Sequence, residues 1–229
     1  YWEQHLACLP VVHSLPLDNA RPALQSFRGG NCYSHIGPEA TRTLLALCQA
    51  QGATLFMGLH AAFAVLLSRY SNETDIVIGS PIANREQAEI APLIGFFVNT
   101  LVLRSDLSGA PDFLEMLAQS KARLLDAYAH QQVPFEQLVE RLQPERHLSH
   151  SALFQVMLVL QNNPSGSLKL PGLQLGELER RSSGFAKYDL TLTVVEGASG
   201  LSLCWEYNSD VFEAASIGRM ARHFGLLLD

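Results

Sequence analysis

The chain has 229 residues, of which 48% are apolar and 17% charged, with a formal net charge of −6. That is enough apolar material for one sizeable buried core, and it excludes a disordered chain. It also speaks against a nucleic-acid or anionic-membrane binder, which displays a basic stripe: the densest basic cluster here is Glu179-Arg180-Arg181. The low charged fraction fits either an ordinary core-rich α/β domain or a domain with part of its surface turned to a neighbour.

Residues 1–30 read as a short helical start and then an extended opening segment, because Pro10, Pro16 and Pro22 fix φ and remove backbone donors. Asn31 to Ile36 is a predicted strand. Pro38 suits a first helical turn, and Leu44, Leu45, Leu47 and Cys48 give that helix an apolar face that Gly52 ends. Thr54 caps a further helix running to about Tyr70. Ile76-Val77-Ile78-Gly79 is a short apolar run of the kind that forms a buried central strand. A polar loop over 80–92 leads to a predicted strand from Phe96 to Arg104. Asp112 to about Ala129 is an amphipathic helix, and another begins near Pro134. Ala152 to Leu160 and Leu173 to Leu178 are β-rich. Tyr188–Val195 and Leu201–Tyr207 form a hairpin across Glu196–Gly200, and Glu213–Leu228 closes the chain as a helix. The mixed order predicts an α/β fold, a mixed β-sheet with helices packed on it.

The search for chemistry returns mostly absences. There is no C-x-x-C pair among the four cysteines, so no zinc pattern, and their apolar neighbours read as free thiols in a reducing, cytoplasmic setting. No segment is long and apolar enough to span a bilayer. The first residues are neither a signal peptide nor a natural start, and the chain reads as an excised piece. A phosphate-binding glycine loop and a G-x-S-x-G elbow are both missing. His147 and His150 lack a flanking Glu and read as a solvated turn rather than a metal site, and His60 reads as a satisfied core histidine. Three places are odd for pure packing. His130-Gln131-Gln132 before Pro134 either caps a helix or presents polar groups to a cleft. Asn99 interrupts an apolar strand, so it pins neighbouring backbone or faces a polar channel. Ser80 ends a buried strand, where either a plain turn or a ligand crevice belongs.

These places fall in motifs that together resemble the condensation domains of nonribosomal peptide synthetases. Ile94 to Leu101 with Arg104 resembles IGxFVNTLxxR, and His130 to Glu136 resembles HQDxPFE. Gly79 to Arg85 resembles GxPIAxR, and Arg146 to Gln161 resembles RDLSxxPLFQVMFxLQ. Tyr188-Asp189-Leu190 and Trp205-Glu206-Tyr207-Asn208 resemble the closing (K/R)(F/Y)DL and LEYN. The motifs keep order and spacing along essentially the whole chain. Gln132 stands for the usual Asp, Asn84 for a common Gly, and Ser151-Ala152 for Asn-Pro. Epimerization relatives carry an NYLGQFD-like strand where this chain has Leu158-Val159-Leu160-Gln161, and cyclization relatives lack HQxxPFE, which leaves an amide-forming domain as the best fit.

The resemblance implies one lobe of a chloramphenicol-acetyltransferase-like pair. In that family, donor and acceptor peptidyl carrier proteins deliver thioesters on 4′-phosphopantetheine arms to a tunnel between the lobes. The acceptor amine attacks the donor thioester there. The histidine thought to position that amine belongs to an HHxxxDG motif in the N-terminal lobe. This sequence contains no HHxxxDG, so no catalytic residue and no bound metal or cofactor is expected in it. The expectation is a C-terminal subdomain over 1–229, inactive alone, with a floor loop at about 80–95 and a latch at about 161–184. Ser80, Phe97, Asn99, His130 and Gln131 are the expected channel residues; Gly95, Arg104, Pro134, Phe135 and Asp189 are expected to be structural. The implied partners are the N-terminal lobe, the two carriers and an adjacent adenylation domain. Two other readings stand beside this one: a superfamily acyltransferase outside peptide synthesis, and a non-catalytic carrier-docking module.

Overall fold

The computed structural model describes residues 1–85, 87, 89–90, 92–145, 147–161 and 184–229. In chain order these form α1 (Trp2–His5), β1 (Gly29–Ile36), α2 (Pro38–Ala50), α3 (Leu55–Ser71), β2 (Asp75–Ile82), β3 (Asn99–Asp106), α4 (Phe113–Ala129), α5 (Phe135–Leu142), β4 (Val156–Gln161), β5 (Leu190–Gly197), β6 (Gly200–Asn208) and α6 (Ala214–Leu228). The expected strand Leu173–Leu178 lies outside the described residues. So does the expected latch, apart from its end residues, Gln161 and Gly184.

The strands make one mixed sheet in the order β1-β6-β5-β4-β2-β3. β4 is parallel to both β5 and β2, and the remaining pairs are antiparallel. Alternation along the strands sends one face into the core: Leu192, Leu203 and Trp205 are buried there. Helix α3, apolar nearly all round, packs beneath this face against α2, α4, α6 and β2. Phe63 of α3 and Phe224 of α6 meet the Trp205 ring edge-on, at 6.0 and 5.6 Å between centroids. The Trp205 Nε1–H donates to Ser34 Oγ at 3.0 Å, so the largest core side chain is also polar-satisfied.

Local chemistry sets the helix starts. Thr54 Oγ1 accepts from Met57 N at 3.3 Å, as its capping position predicts. Asp112 caps α4 reciprocally with Glu115, at 2.9 Å each way. The β5–β6 turn is tighter than expected, since the ladder closes at Gly197 opposite Gly200. Gly200 has φ +121°, and a Cβ there would lie 2.1 Å from the Ile36 carbonyl oxygen, so only glycine fits.

The opening segment does run extended, and it is stitched down. His13 N donates to Gln155 Oε1 at 3.1 Å, while Gln155 Nε2 donates to the Ser151 carbonyl at 2.8 Å. Beside this, Asp189 is 1% exposed and receives both Arg21 guanidinium nitrogens, at 2.9 and 2.5 Å, with His13 Nε2 at 2.9 Å. Among the described residues no single helix is long and apolar enough to cross a membrane. Only α2 and α3 together pass such a test, bent by 107°, and α3 is core.

Three boundaries differ from expectation for physical reasons. β2 does not end at Gly79: Ser80, Pro81 and Ile82 continue it, paired with Leu101, Thr100 and Asn99. β3 starts at Asn99, not Phe96, because the preceding residues wrap around Arg85. β4 starts at Val156, since Gln155 and the residues before it bind the opening segment.

Candidate functional site

The sheet splits at its centre. β2 and β4 share one register position, Gly79 opposite Met157. Beyond it β4 follows β5 to Gln161, while β2 follows β3 to Ile82. Pro81, with no N–H, has no donor to help close the gap. Gly79 is fixed by its neighbour, because a Cβ there would lie 2.2 Å from the Phe154 ring. The split opens a cavity of about 140 Å³ between β2, β3 and the end of β4 on one side and α3 and α4 on the other. Ser80, 4% exposed, and Leu101 line it from the strands, Phe56 from α3, and Leu124 and Tyr128 from α4. Burial raises the Tyr128 phenol above its ordinary pKa, so it stays protonated.

Asn99 sits next to this cavity and is spent on backbone. Its Nδ2 donates to the Gln131 and Val133 carbonyls, both at 2.9 Å, and its Oδ1 accepts from Phe135 N at 3.0 Å. Both halves of the amide are therefore committed to the turn between α4 and α5. Of the two roles open in the sequence, backbone pinning is the one the geometry fills. Pro134 is the N-cap of α5, and Phe135 meets Phe154 edge-on at 5.8 Å.

His130 points elsewhere. It is exposed, and its ring stacks on Tyr1 at 4.1 Å with 7° between planes. Its Nδ1 lies 2.8 Å from the Asp126 carbonyl, and its own carbonyl accepts from Trp2 Nε1 at 3.0 Å. In this chain His130 thus seats α1 at the end of α4 and does not line the cavity at the split. Phe97 also stays outside the cavity. The Arg85 guanidinium lies 4.3 Å over its ring and donates to the carbonyls of Ile90 (2.8 Å), Leu93 (2.7 Å) and Gly95 (3.3 Å). One arginine thereby shapes the segment before β3. That segment displays Ile94 at 103% and Phe96 at 90% exposure.

Arg104 behaves as a strut. It grips Asp75 with Nε and Nη2, both at 2.8 Å, and donates Nη1 to the His5 and Ala7 carbonyls at 3.1 and 2.8 Å. Asp75 holds the Arg104 pKa above its ordinary value. Among the described residues, no group of three or more His, Cys, Asp or Glu side chains is placed to hold a metal.

Sequence reasoning missed Arg85, Gln155 and Tyr128. The first two lie inside the family motifs, so position in a motif was the available signal. Nothing local marks Tyr128, which acquires its place only when α4 packs under the split.

A split mixed sheet with helices on one face is the chloramphenicol-acetyltransferase-like lobe. The condensation-domain family model matches residues 1–229, and the chain belongs to that family. It is 47% identical to one of the linear gramicidin synthase proteins of Brevibacillus parabrevis, over all of this chain and 4% of that protein. It is 39% identical to phosphinothricin tripeptide synthetase PhsB of Streptomyces viridochromogenes, over all of this chain and 19% of that protein. Among solved structures it resembles the four-domain nonribosomal peptide synthetase holo-AB3403, with TM-score 0.92, 28% identity, and 99% and 18% of the two chains covered. The X-domain from teicoplanin biosynthesis gives TM-score 0.91, 30% identity, and 99% and 52% covered. The chain thus spans a small part of the curated relatives and about half of a single solved domain.

Proposed function

We propose that this chain is the C-terminal half of an amide-forming condensation domain in a nonribosomal peptide synthetase. It supplies one tunnel wall, with the Arg85-shaped segment as floor loop and residues 161–184 as latch. The N-terminal lobe supplies the other wall. Two carrier proteins bring donor and acceptor on phosphopantetheine arms, with an adenylation domain nearby and a cytoplasmic setting. The acceptor amine nitrogen attacks the donor thioester carbonyl; the C–N bond forms, the C–S bond breaks, and the amine proton leaves with the released thiol. Such a step gains chiefly from positioning the two arms.

The observation that carries this reading is the Asn99 clamp, which ties the FVNT strand to the HQxxPFE turn beside the cavity holding Ser80. Two motifs of the family thereby serve one wall. The test joins this chain to its N-terminal half and supplies aminoacylated donor and acceptor carriers. Dipeptidyl product on the acceptor carrier, detected by intact-protein mass spectrometry, is the expected result; its absence with folded, docked halves counts against the reading.

A second reading is a recruiting module without catalysis. It draws on the similarity to the X-domain solved in complex with OxyB, at TM-score 0.89 and 29% identity. A joined domain that binds a partner protein yet makes no product favours it.

A further inference from the structure

Trp205, Tyr207 and Asn208 are spent on the fold: the first two are buried core side chains, and Asn208 Oδ1 accepts from Asp210 N at 3.0 Å. Glu206 points the other way from Trp205 and Tyr207, onto the opposite face of the sheet, where it is half-buried. Among the described residues nothing donates a hydrogen bond to its carboxyl group or pairs its charge. Its cross-strand neighbour is Asn31 of β1. Asn31 Nδ2 donates to the Tyr33 hydroxyl at 3.3 Å, but Oδ1 is buried and has no donor among the described residues. Two acceptors that lack a donor thus share one rung of the ladder.

The rung is of the close kind. Two residues along, Asn208 N donates to the Asp189 carbonyl and Gly29 N to the Gly184 carbonyl, both at 2.9 Å and both away from the β1–β6 seam. Gly29 and Asn208 are therefore a non-hydrogen-bonded pair, and by alternation so are Asn31 and Glu206, which brings their Cβ atoms to about 4.5–5 Å. The titratable groups on this face are Tyr33 and His35 of β1, Cys204 of β6, and Asp189, which is held by Arg21 and His13 from the opening segment. The same face of β4 and β5 contributes none. Burial raises the Glu206 pKa above its ordinary value, and among the described residues no charged neighbour adds to that shift or opposes it.

We propose that Glu206 takes up a proton in mildly acidic solution and donates it to Asn31 Oδ1, closing a proton-dependent bridge that ties the edge strand β1 to β6. One proton comes from solvent and is held between the carboxyl and carboxamide oxygens. Ionised, the carboxylate faces a second acceptor with nothing between them; protonated, it satisfies the buried oxygen. The bond and the burial both raise the folded-state pKa above the unfolded value. The stabilisation is therefore full below the ordinary glutamate range and is lost as pH rises through the folded midpoint. That sign is opposite to the one for Asp189, which cations hold ionised. The bridge belongs to the sheet and is independent of the reaction the chain serves.

The test follows the glutamate side-chain carboxyl carbons of the 229-residue chain by NMR from about pH 8 down to about pH 4, with Glu206 assigned through Glu206→Gln. The Glu206 midpoint should lie above those of the exposed glutamates, and the Asn31 side-chain amide should shift with that same midpoint. Asn31→Leu keeps the bulk and removes the acceptor, so it should bring the Glu206 midpoint down, whereas burial alone leaves it in place or raises it. Glu206→Gln supplies a permanent donor. Its urea midpoint should exceed that of the unaltered chain near neutral pH and meet it once the pH falls below the Glu206 midpoint; the comparison cancels every other titrating group. A Glu206 midpoint at or below those of the exposed glutamates overturns the proposal, as does a Glu206→Gln chain that is less stable near neutral pH. Either result means that the Asn31 amide is turned, with Nδ2 donating to an ionised Glu206. An unmoved midpoint in a folded Asn31→Leu chain overturns it as well. If that variant does not fold, the Asn31 amide decides: no shift at the Glu206 midpoint refutes the bridge.

Discussion

At the scale of single residues, two buried titratable groups set how this chain meets acid. His60 is wholly buried in α3; its Nδ1 lies 2.9 Å from Ser120 Oγ, which itself donates to the Met57 carbonyl. Among the described residues its Nε2 has no partner, and burial lowers its pKa to about 4. The unfolded chain therefore takes up a proton near pH 6.5 that the folded chain refuses until about pH 4. Stability is full above 6.5 and falls toward 4, by roughly 3 kcal/mol from this group. His5, lowered by burial, acts in the same direction. For Asp189 burial works to raise the pKa, but hydrogen bonds and charge from His13 and Arg21 win and hold it at about 2. Its contribution is intact above the usual carboxylate range and is lost as pH falls through 2, roughly 2 kcal/mol more. Urea midpoints between pH 7 and pH 2 should therefore decline in two stages, and His60→Leu should flatten the first. Asp189→Asn should cost about 3 kcal/mol at pH 7, since it leaves the Arg21 charge half of a broken buried pair. An unchanged midpoint would mean that the other anchors of the opening segment, such as Gln155, Glu73 and the Asp18–Ser216 bond, suffice to hold it.

At the scale of elements, the clamp between β3 and the α4–α5 turn makes a sharp claim about Asn99. Asn99→Ala strands two carbonyls and one N–H, so it should cost about 1–3 kcal/mol. Amide exchange should quicken at 131–135 while β5 and β6 stay protected. Undisturbed exchange there would return Asn99 to the channel role that its place in the motif first offered. Most elements were legible because their signals are local: Thr54 and Asp112 cap, Pro38 opens a helix, and β5 and β6 alternate. The site was legible only as motifs. A hydrogen bond from Asn99 to residues 32 to 36 positions away leaves no periodic trace. Nor does the divergence of β2 from β4, which depends on which strand each follows after Gly79. The contacts of His130 were not legible either, because a polar cluster before a proline looks the same whether it faces a cleft or seats a neighbouring helix.

At the scale of the whole molecule, what this chain can do alone follows from its inventory. Amide formation near neutral pH wants a positioned group to steer or accept an amine proton. His60 is sealed in the core, His13 is held against Asp189, and His130 is stacked on Tyr1. Among the described residues that line the cavity at the split there is no histidine or carboxylate. The chain also displays Ile94 and Phe96 almost fully to solvent on a segment whose shape Arg85 holds, and on the proposed reading these side chains meet the N-terminal half. Given loaded donor and acceptor carriers, the 229-residue chain should yield no dipeptidyl product above the no-enzyme control. Adding the N-terminal half, fused or in trans, should restore it. Docking should be read separately, as lost binding of a hydrophobic dye to the Ile94–Phe96 tip. Ile94→Ser with Phe96→Ser should weaken association of the halves at least about tenfold while leaving the sheet intact, since two large apolar side chains are removed from the contact. Product from the chain alone that His130→Ala abolishes would overturn this argument. It would mean that the Tyr1–His130 stack opens in solution and that a base works from this half.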